Sequence, residues 1–282
     1  MRILPLSLLL TVMSLTFCAQ KEAPKVVAET PTTPTPTPPV VTDTAKKLVW
    51  SDEFNTPGHP DTTKWNYNIG NGDGGWGNNE LEYYTSSDSN ARIENGNLVI
   101  EARKESLGGR NYTSARMLTQ GKFDWTYGRF EIRAKLPKGI GTWPAIWMLG
   151  SNFPQVGWPT CGEIDIMEHV GKNLNEINWS AHSKMYNWPM GTQKTNKAII
   201  ANVTDSFHVY KLDWSKAALN FYVDDVLYLT VNSDGKNTDY YPFVAPQFLI
   251  LNLAIGGNMA GNTIDNSIFP VRMLVDYVRV YQ

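Results

Sequence analysis

Gly128-Arg129-Phe130-Glu131-Ile132-Arg133-Ala134-Lys135-Leu136 alternates polar and apolar residues from Arg129 to its end. A period of two sends successive side chains to opposite faces, the mark of a half-buried β-strand. Downstream, Phe207 to Trp214 alternates in the same way. Leu219 to Val223 and Val226 to Val231 flank Asp224-Asp225, a two-residue hairpin connection. Leu98 to Ala102, Gln247 to Ala254 and Met273 to Val280 read as further strands, and neither a long amphipathic helix nor an internal repeat interrupts them. Many short strands divided by turn signals predict an all-β chain, a sandwich of two antiparallel sheets.

With 282 residues the chain has room for one large β-domain and a smaller segment. The formal net charge of −2 leaves no basic excess to hold a phosphate backbone, so no nucleic-acid partner is expected. Ten Trp and 13 Tyr bring the aromatic share to 12%, which suits either a β-rich core or a surface that stacks flat apolar ligand faces.

The first 18 residues read as an export signal: Arg2 is the charge, and Ile3 to Phe17 is an apolar run too short to span a bilayer comfortably. Cys18 follows directly. Lipidation of its thiol is one reading, although Phe17 stands where a lipobox usually has a small residue, and plain secretion is the other. Residues 19–46 form a linker around Pro31-Thr32-Thr33-Pro34-Thr35-Pro36-Thr37-Pro38-Pro39, a tract that favours extended polyproline. The globular part is expected over 47–282, secreted or held at the cell surface, a monomer that meets a membrane only through a lipid on Cys18. Cys161, the second of two Cys, then has no disulfide partner, and nearby carboxylates explain its segment better than a catalytic thiol does.

Those carboxylates lie in Gly162-Glu163-Ile164-Asp165-Ile166-Met167-Glu168-His169. Glu163 and Asp165 share a strand face. Glu168, at an odd offset from Glu163, would point into the core on a regular strand. A bulge near Met167 would return it to the face of the other two. The alternative is an unpaired buried carboxylate, which is costly. Three acids on one face repel, so their proton affinities separate. Glycoside hydrolysis needs such a set, one carboxylate ionised and one protonated, about 5–5.5 Å apart in a retaining enzyme. A polar strand face or a calcium site are the plain alternatives.

Gly141-Thr142-Trp143-Pro144-Ala145-Ile146-Trp147-Met148-Leu149, followed by Trp158-Pro159-Thr160-Cys161-Gly162-Glu163-Ile164-Asp165-Ile166-Met167-Glu168, resembles the centre of glycoside hydrolase family 16 in its laminarinase branch. Leu48 to Phe54, Trp76 to Tyr84, Tyr127 to Glu131 and Asp276 to Val280 match in register. The resemblance spans about residues 47–282 and implies a β-jelly-roll with a concave substrate cleft. It implies endo-hydrolysis of β-1,3-glucan, with mixed β-1,3/1,4-glucan as a further substrate. In it Glu163 attacks the anomeric carbon, Glu168 protonates the leaving oxygen and Asp165 assists, with no catalytic cofactor. A glucan-binding protein that does not cut, a transglycosylase, and family members acting on agarose, carrageenan or xyloglucan are the other readings. Intact Glu163 and Glu168 disfavour the first of them.

Within that frame Trp143 and Trp147, evenly spaced on one strand face, would pack sugar rings against indole, with core packing as the alternative. Trp125 and Trp158 are weaker candidates. Asn79 and Glu80 follow a Gly-rich loop, Gly70 to Gly77, and suit sugar hydroxyls. Arg116 would meet sugar or the acids, or else form a surface ion pair. His182 resembles a family histidine near the acids, against the reading of a satisfied core residue. Asn258, after Gly256-Gly257, would meet substrate or shape a turn. The four His form no His/Cys cluster, which speaks against zinc. The resemblance further implies a structural calcium on the convex face, held by the main-chain oxygens of Glu53 and Gly96 and by Asp276, an oxygen-only set.

Overall fold

The computed structural model describes residues 46–282. The export signal, Cys18 and the linker to residue 45 lie outside the described residues. In chain order the first strands are β1 (Leu48–Asp52), β2 (Asn66–Tyr67), β3 (Glu82–Tyr84), β4 (Ala91–Glu94), β5 (Asn97–Ala102) and β6 (Tyr112–Ser114). Next come β7 (Arg116–Leu118), β8 (Gly128–Lys135), β9 (Thr142–Gly150), β10 (Glu163–His169), β11 (Glu176–His182) and β12 (Lys194–Ile199). The last are β13 (His208–Trp214), β14 (Ala218–Val223), β15 (Val226–Asn232), β16 (Gln247–Ile255) and β17 (Val271–Tyr281). Among the described residues no helix is long and apolar enough to cross a membrane.

Two antiparallel sheets face each other. One runs β15-β14-β13-β8-β17-β5-β4, with β1 also paired to β17, and the other β12-β11-β10-β9-β16-β7-β2. A small parallel pair, β3 with β6, stands apart. The alternation of β8 is realised residue by residue, with Phe130, Ile132 and Ala134 buried and the charged residues between them half-buried. Phe130, Ile132 and Ala134 join Ile164, Ile166, Met167, Leu249 and Leu251 in one buried cluster between the sheets. Each large apolar side chain so buried contributes about 1.5–3 kcal/mol. The β14–β15 hairpin closes through Asp224 and Asp225, both at positive φ (48° and 68°), the type I′ geometry that matches strand twist.

Trp125 belongs to this core and not to a ligand surface. It packs edge-on against Trp50 and Phe130 at 5.4 and 5.6 Å between ring centroids. As a candidate sugar platform it is therefore corrected.

Candidate active site

β10 carries the bulge that its residue spacing demands. Against β9, Asp165 pairs with Trp147 and Met167 with Ile146, leaving Ile166 as the extra residue. The register slips at the same place against β11. Ile164, Ile166 and Met167 all enter the core, while Glu163, Asp165 and Glu168 all line one cavity of about 90 Å³. Trp143, Trp147, His182, Glu80, Asn78 and Asn252 complete its walls.

β9 and β11 flank β10 and set the surroundings of the acids. Trp143 donates its indole N–H to Glu168 Oε1 at 3.1 Å. His182, paired with Glu163 across the ladder, brings Nε2 to 3.2 Å from Asp165 Oδ2 and 3.7 Å from Glu163 Oε1. Among the described residues Glu163, Asp165 and His182 are the one group of three His, Cys, Asp or Glu side chains whose donor atoms could grip a metal ion, all within 4.8 Å of one another. Burial pushes the carboxyl of Glu163 up to about 8, aided by the charge of Asp165 and opposed by His182 and Arg116. Burial likewise pushes Asp165 and Glu168 up to about 8. Groups this close titrate as a set. The cleft therefore holds protons at neutral pH that exposed carboxyls would release.

Two larger cavities continue the groove. One, of about 480 Å³, shares Asn78, Trp147 and Glu163 with the acid cavity and runs past Arg116, Trp76, Trp158, Phe153 and Trp188. There the Arg116 guanidinium lies between the Trp76 and Trp147 rings, 4.9 and 4.8 Å from their centroids. The second cavity, of about 590 Å³, shares Glu80 and is lined by Asn79, Asn258, Arg110 and several glycines. Asn79 Nδ2 donates to Asn258 Oδ1 at 2.8 Å, tying the Gly-rich loop to the segment after β16. The loop needs glycine at 75: φ is +61°, and a Cβ there would sit 2.5 Å from the Glu80 main-chain nitrogen. The acids thus stand in the middle of a groove with an aromatic arm and a polar arm.

Every expected sugar-contacting residue except Trp125 lies along this groove: Asn79, Glu80, Arg116, Trp143, Trp147, Trp158, His182 and Asn258. His182 is buried yet faces the acids, and Arg116 stacks on indole where a surface ion pair was the alternative. Sequence reading passed over Glu82, Tyr84, Asn252 and Trp76. The signals were a period-two run through Glu80, Glu82 and Tyr84, and Asn252 inside the apolar run from Phe248 to Ile255. Cys161 is fully buried, its thiol pushed up to about 12 by burial, which leaves no reactive thiolate.

On the opposite sheet the residues expected to hold calcium lie on β17 and beside the strands that pair with it. β17 pairs Val275 with Leu98 of β5 and Val278 with Asp52 of β1, so Glu53 and the Asn95-Gly96 turn both approach Asp276. Asp276 Oδ2 accepts from Arg133 Nη1 at 2.5 Å, and the Glu53 carboxylate is gripped by Arg279, leaving the Glu53 main-chain oxygen to other partners. The expected donors, one carboxylate and two main-chain oxygens, are oxygen-only, the ligand chemistry of calcium and not of zinc.

A two-sheet β-sandwich with a groove that holds three carboxyls of raised proton affinity between tryptophans defines a carbohydrate-cleaving enzyme of the two-carboxylate type. The profile of glycosyl hydrolases family 16 matches residues 78–279, and the chain belongs to that family. It is 48% identical over 246 residues to a beta-glucanase of Rhodothermus marinus, covering 84% of this chain and 85% of the relative. The crystal structure of the Rhodothermus marinus laminarinase superposes with a TM-score of 0.82 at 46% identity, over 84% of this chain and 98% of that one. A non-specific endo-β-1,3(4)-glucanase of the family, with 1,3-β-D-cellobiosyl-glucose at its active site, gives a TM-score of 0.82 at 49% identity, over 85% and 95%.

Proposed function

We propose that this protein cuts β-1,3-glucan chains internally and with retention of configuration, with mixed β-1,3/1,4-glucan as a second substrate. The observation that carries this reading is the bulge at Ile166, which gathers Glu163, Asp165 and Glu168 on one face at mid-groove. A groove continuous on both sides of the acids lets a polymer lie through it, as internal cleavage requires. The relatives above act on β-1,3- and β-1,3(4)-glucans by name.

In this mechanism Glu163 is the nucleophile. The charges of His182 and Arg116 beside it favour its ionised form. Its oxygen attacks the anomeric carbon while Glu168 passes its proton to the departing glycosidic oxygen. The covalent glycosyl-enzyme then meets a water, from which Glu168 takes the proton, and the sugar leaves Glu163. Asp165, between the two and against His182, orients Glu163 and withholds a second negative charge. Trp143 aims Glu168 through its indole N–H.

Chemical rescue by azide, with an activated β-glucoside donor, separates the roles. A Glu163→Gly variant should give the α-glycosyl azide, because azide occupies the nucleophile's face. A Glu168→Ala variant should give the β-glycosyl azide, because azide replaces the second-step water. The opposite pattern would reverse the assignment. Product analysis on laminarin, lichenan, agarose and xyloglucan side by side tests the substrate.

A calcium ion held by Glu53, Gly96 and Asp276 would be structural. The ion would tie the end of β1 and the β4–β5 turn to β17 and take no part in the chemistry. The N-terminal residues support export, with lipid on Cys18 as the anchor to a membrane. Metabolic labelling with a palmitate analogue, compared with a Cys18→Ala variant, tests the anchor.

A further inference from the structure

Glu80, Glu82 and Tyr84 follow one another at strand spacing and are all buried, Glu82 and Tyr84 completely. Glu82 Oε2 accepts the Ile255 main-chain N–H at 2.6 Å, whereas Oε1 finds no donor in the protein. What Glu82 does meet is the carboxyl of Glu80. Glu80 in turn accepts the Tyr84 hydroxyl on Oε2 at 2.8 Å and lines both the acid cavity and the polar arm of the groove. The chain continues inward: Asn252 Nδ2 donates to the Tyr84 oxygen at 3.1 Å, and Asn252 Oδ1 accepts the Trp147 indole N–H at 2.7 Å.

Two neighbouring carboxyls, one of them shut away from water, do not both ionise. A single proton between them removes the repulsion and satisfies the orphaned oxygen at once. The proton belongs on the deeper partner: burial and the charge of Glu80 hold Glu82 well above the usual carboxylate range. Glu80 already accepts the Tyr84 O–H and the Asn78 side-chain N–H.

We propose that Glu82, which does not reach the groove, is a positioning residue that stays neutral and donates its one O–H to Glu80, so that Glu80 faces the bound sugar as a carboxylate locked between Glu82 and Tyr84. Glu80 then supplies a charge-assisted acceptor for sugar hydroxyls, and the same network holds Trp147 through Asn252. This rests on the glucan reading for its ligand, but not for the protonation state.

Two measurements test it. Glu82→Gln places an amide oxygen for the Ile255 N–H and an amide N–H for Glu80, reproducing a neutral Glu82. It should keep kcat and KM on laminarin within about twofold of wild type. Glu82→Leu removes the donor and should raise KM about tenfold while kcat stays within about threefold, the loss of one charge-assisted contact. Equal losses in both variants, or an unchanged KM in a folded Glu82→Leu protein, would overturn the proposal. The second measurement is infrared difference spectroscopy of wild type against Glu82→Gln at neutral pH. A carboxylic-acid C=O band present only in wild type is expected, and its absence would also overturn the proposal. This reading needs no turnover, so it decides the case even if Glu82→Leu does not fold. It also separates failure here from failure of the laminarin reading, which wild-type inactivity would signal.

Discussion

Asp165 is 4% exposed, and its carboxyl, pushed up to about 8 by burial, keeps its proton where an unfolded chain would release it near 3.8. Between those values the folded state binds more protons than the unfolded state, so this group makes stability fall as pH rises from about 4 to about 8. Asp165→Asn removes the contribution. Its melting temperature should match wild type near pH 4.5 and exceed it by about 2–5 °C at pH 8, while turnover drops. Equal melting temperatures at both pH values would show that Asp165 is already ionised in the folded cleft. His169, on the core-facing side of the same strand, has the opposite sign. It is fully buried, neither ring nitrogen has a partner in the protein, and burial pulls it down to about 4. The unfolded state therefore binds the extra proton between about 6.5 and 4, and the stability present above that window is lost as pH falls through it. In a His169→Leu protein the urea midpoint should fall less than in wild type between pH 7 and pH 4.5. A parallel fall in the two proteins would place the acid sensitivity elsewhere.

Among the elements, β17 is where separate parts of the chain are fastened. It pairs with β5 along Val271–Val275, with β1 along Val278–Tyr281 and with β8 on its other side, and its register slips at Asp276. If calcium binds at that slip, chelation should lower the melting temperature by several degrees, about 1–2 kcal/mol at the transition. Asp276→Ala should remove most of the response, with laminarin turnover at low temperature unchanged in both cases. A chelated, folded enzyme without activity would make the metal catalytic, and no shift on chelation would remove the site. Strands of this kind were legible wherever one face is wet and the other buried, as in β8, because period two then writes burial into the residue order. β12, exposed at all but one position, carries no such contrast and went unread. The bulge was legible because Glu163 and Glu168 stand at an odd offset. The partners of Glu82 and Asn252 were not, because they lie 173 and 168 residues away, at Ile255 and Tyr84, and only the fold brings them together. Trp125 stood as a weaker platform candidate because an indole suits a core and a sugar platform equally well, and local sequence does not say which way it faces.

Over the whole molecule, the sandwich devotes one sheet to chemistry and uses the other to close the core behind it. The groove across the first sheet runs from Trp188 and Phe153, past Glu163, to Asn79 and Asn258, open on both sides of the acids. A polymer threaded through it is cut at an interior bond, so laminarin viscosity should fall before much reducing sugar appears. The stereochemical outcome follows from the same architecture. An inverting enzyme separates its carboxyls by roughly 6.5–9.5 Å to admit a water beneath the sugar. Here both acids rise from one strand, the bulge draws Glu168 back toward Glu163, and Asp165 fills the interval, with its donor atom within 4.8 Å of that of Glu163. In the proposed two-step reaction a close pair of carboxyls admits no separate attacking water in the first step, and Glu163 itself takes the anomeric carbon. Water then enters from the face the leaving group vacated, and the released sugar keeps its β configuration. Proton NMR of the first laminarin products, recorded before mutarotation mixes the anomers, should show the β-anomer first. Early appearance of the α-anomer would overturn the glycosyl-enzyme, the role of Glu163, and the inference that one bulged strand brings two carboxyls to the spacing of a two-step mechanism.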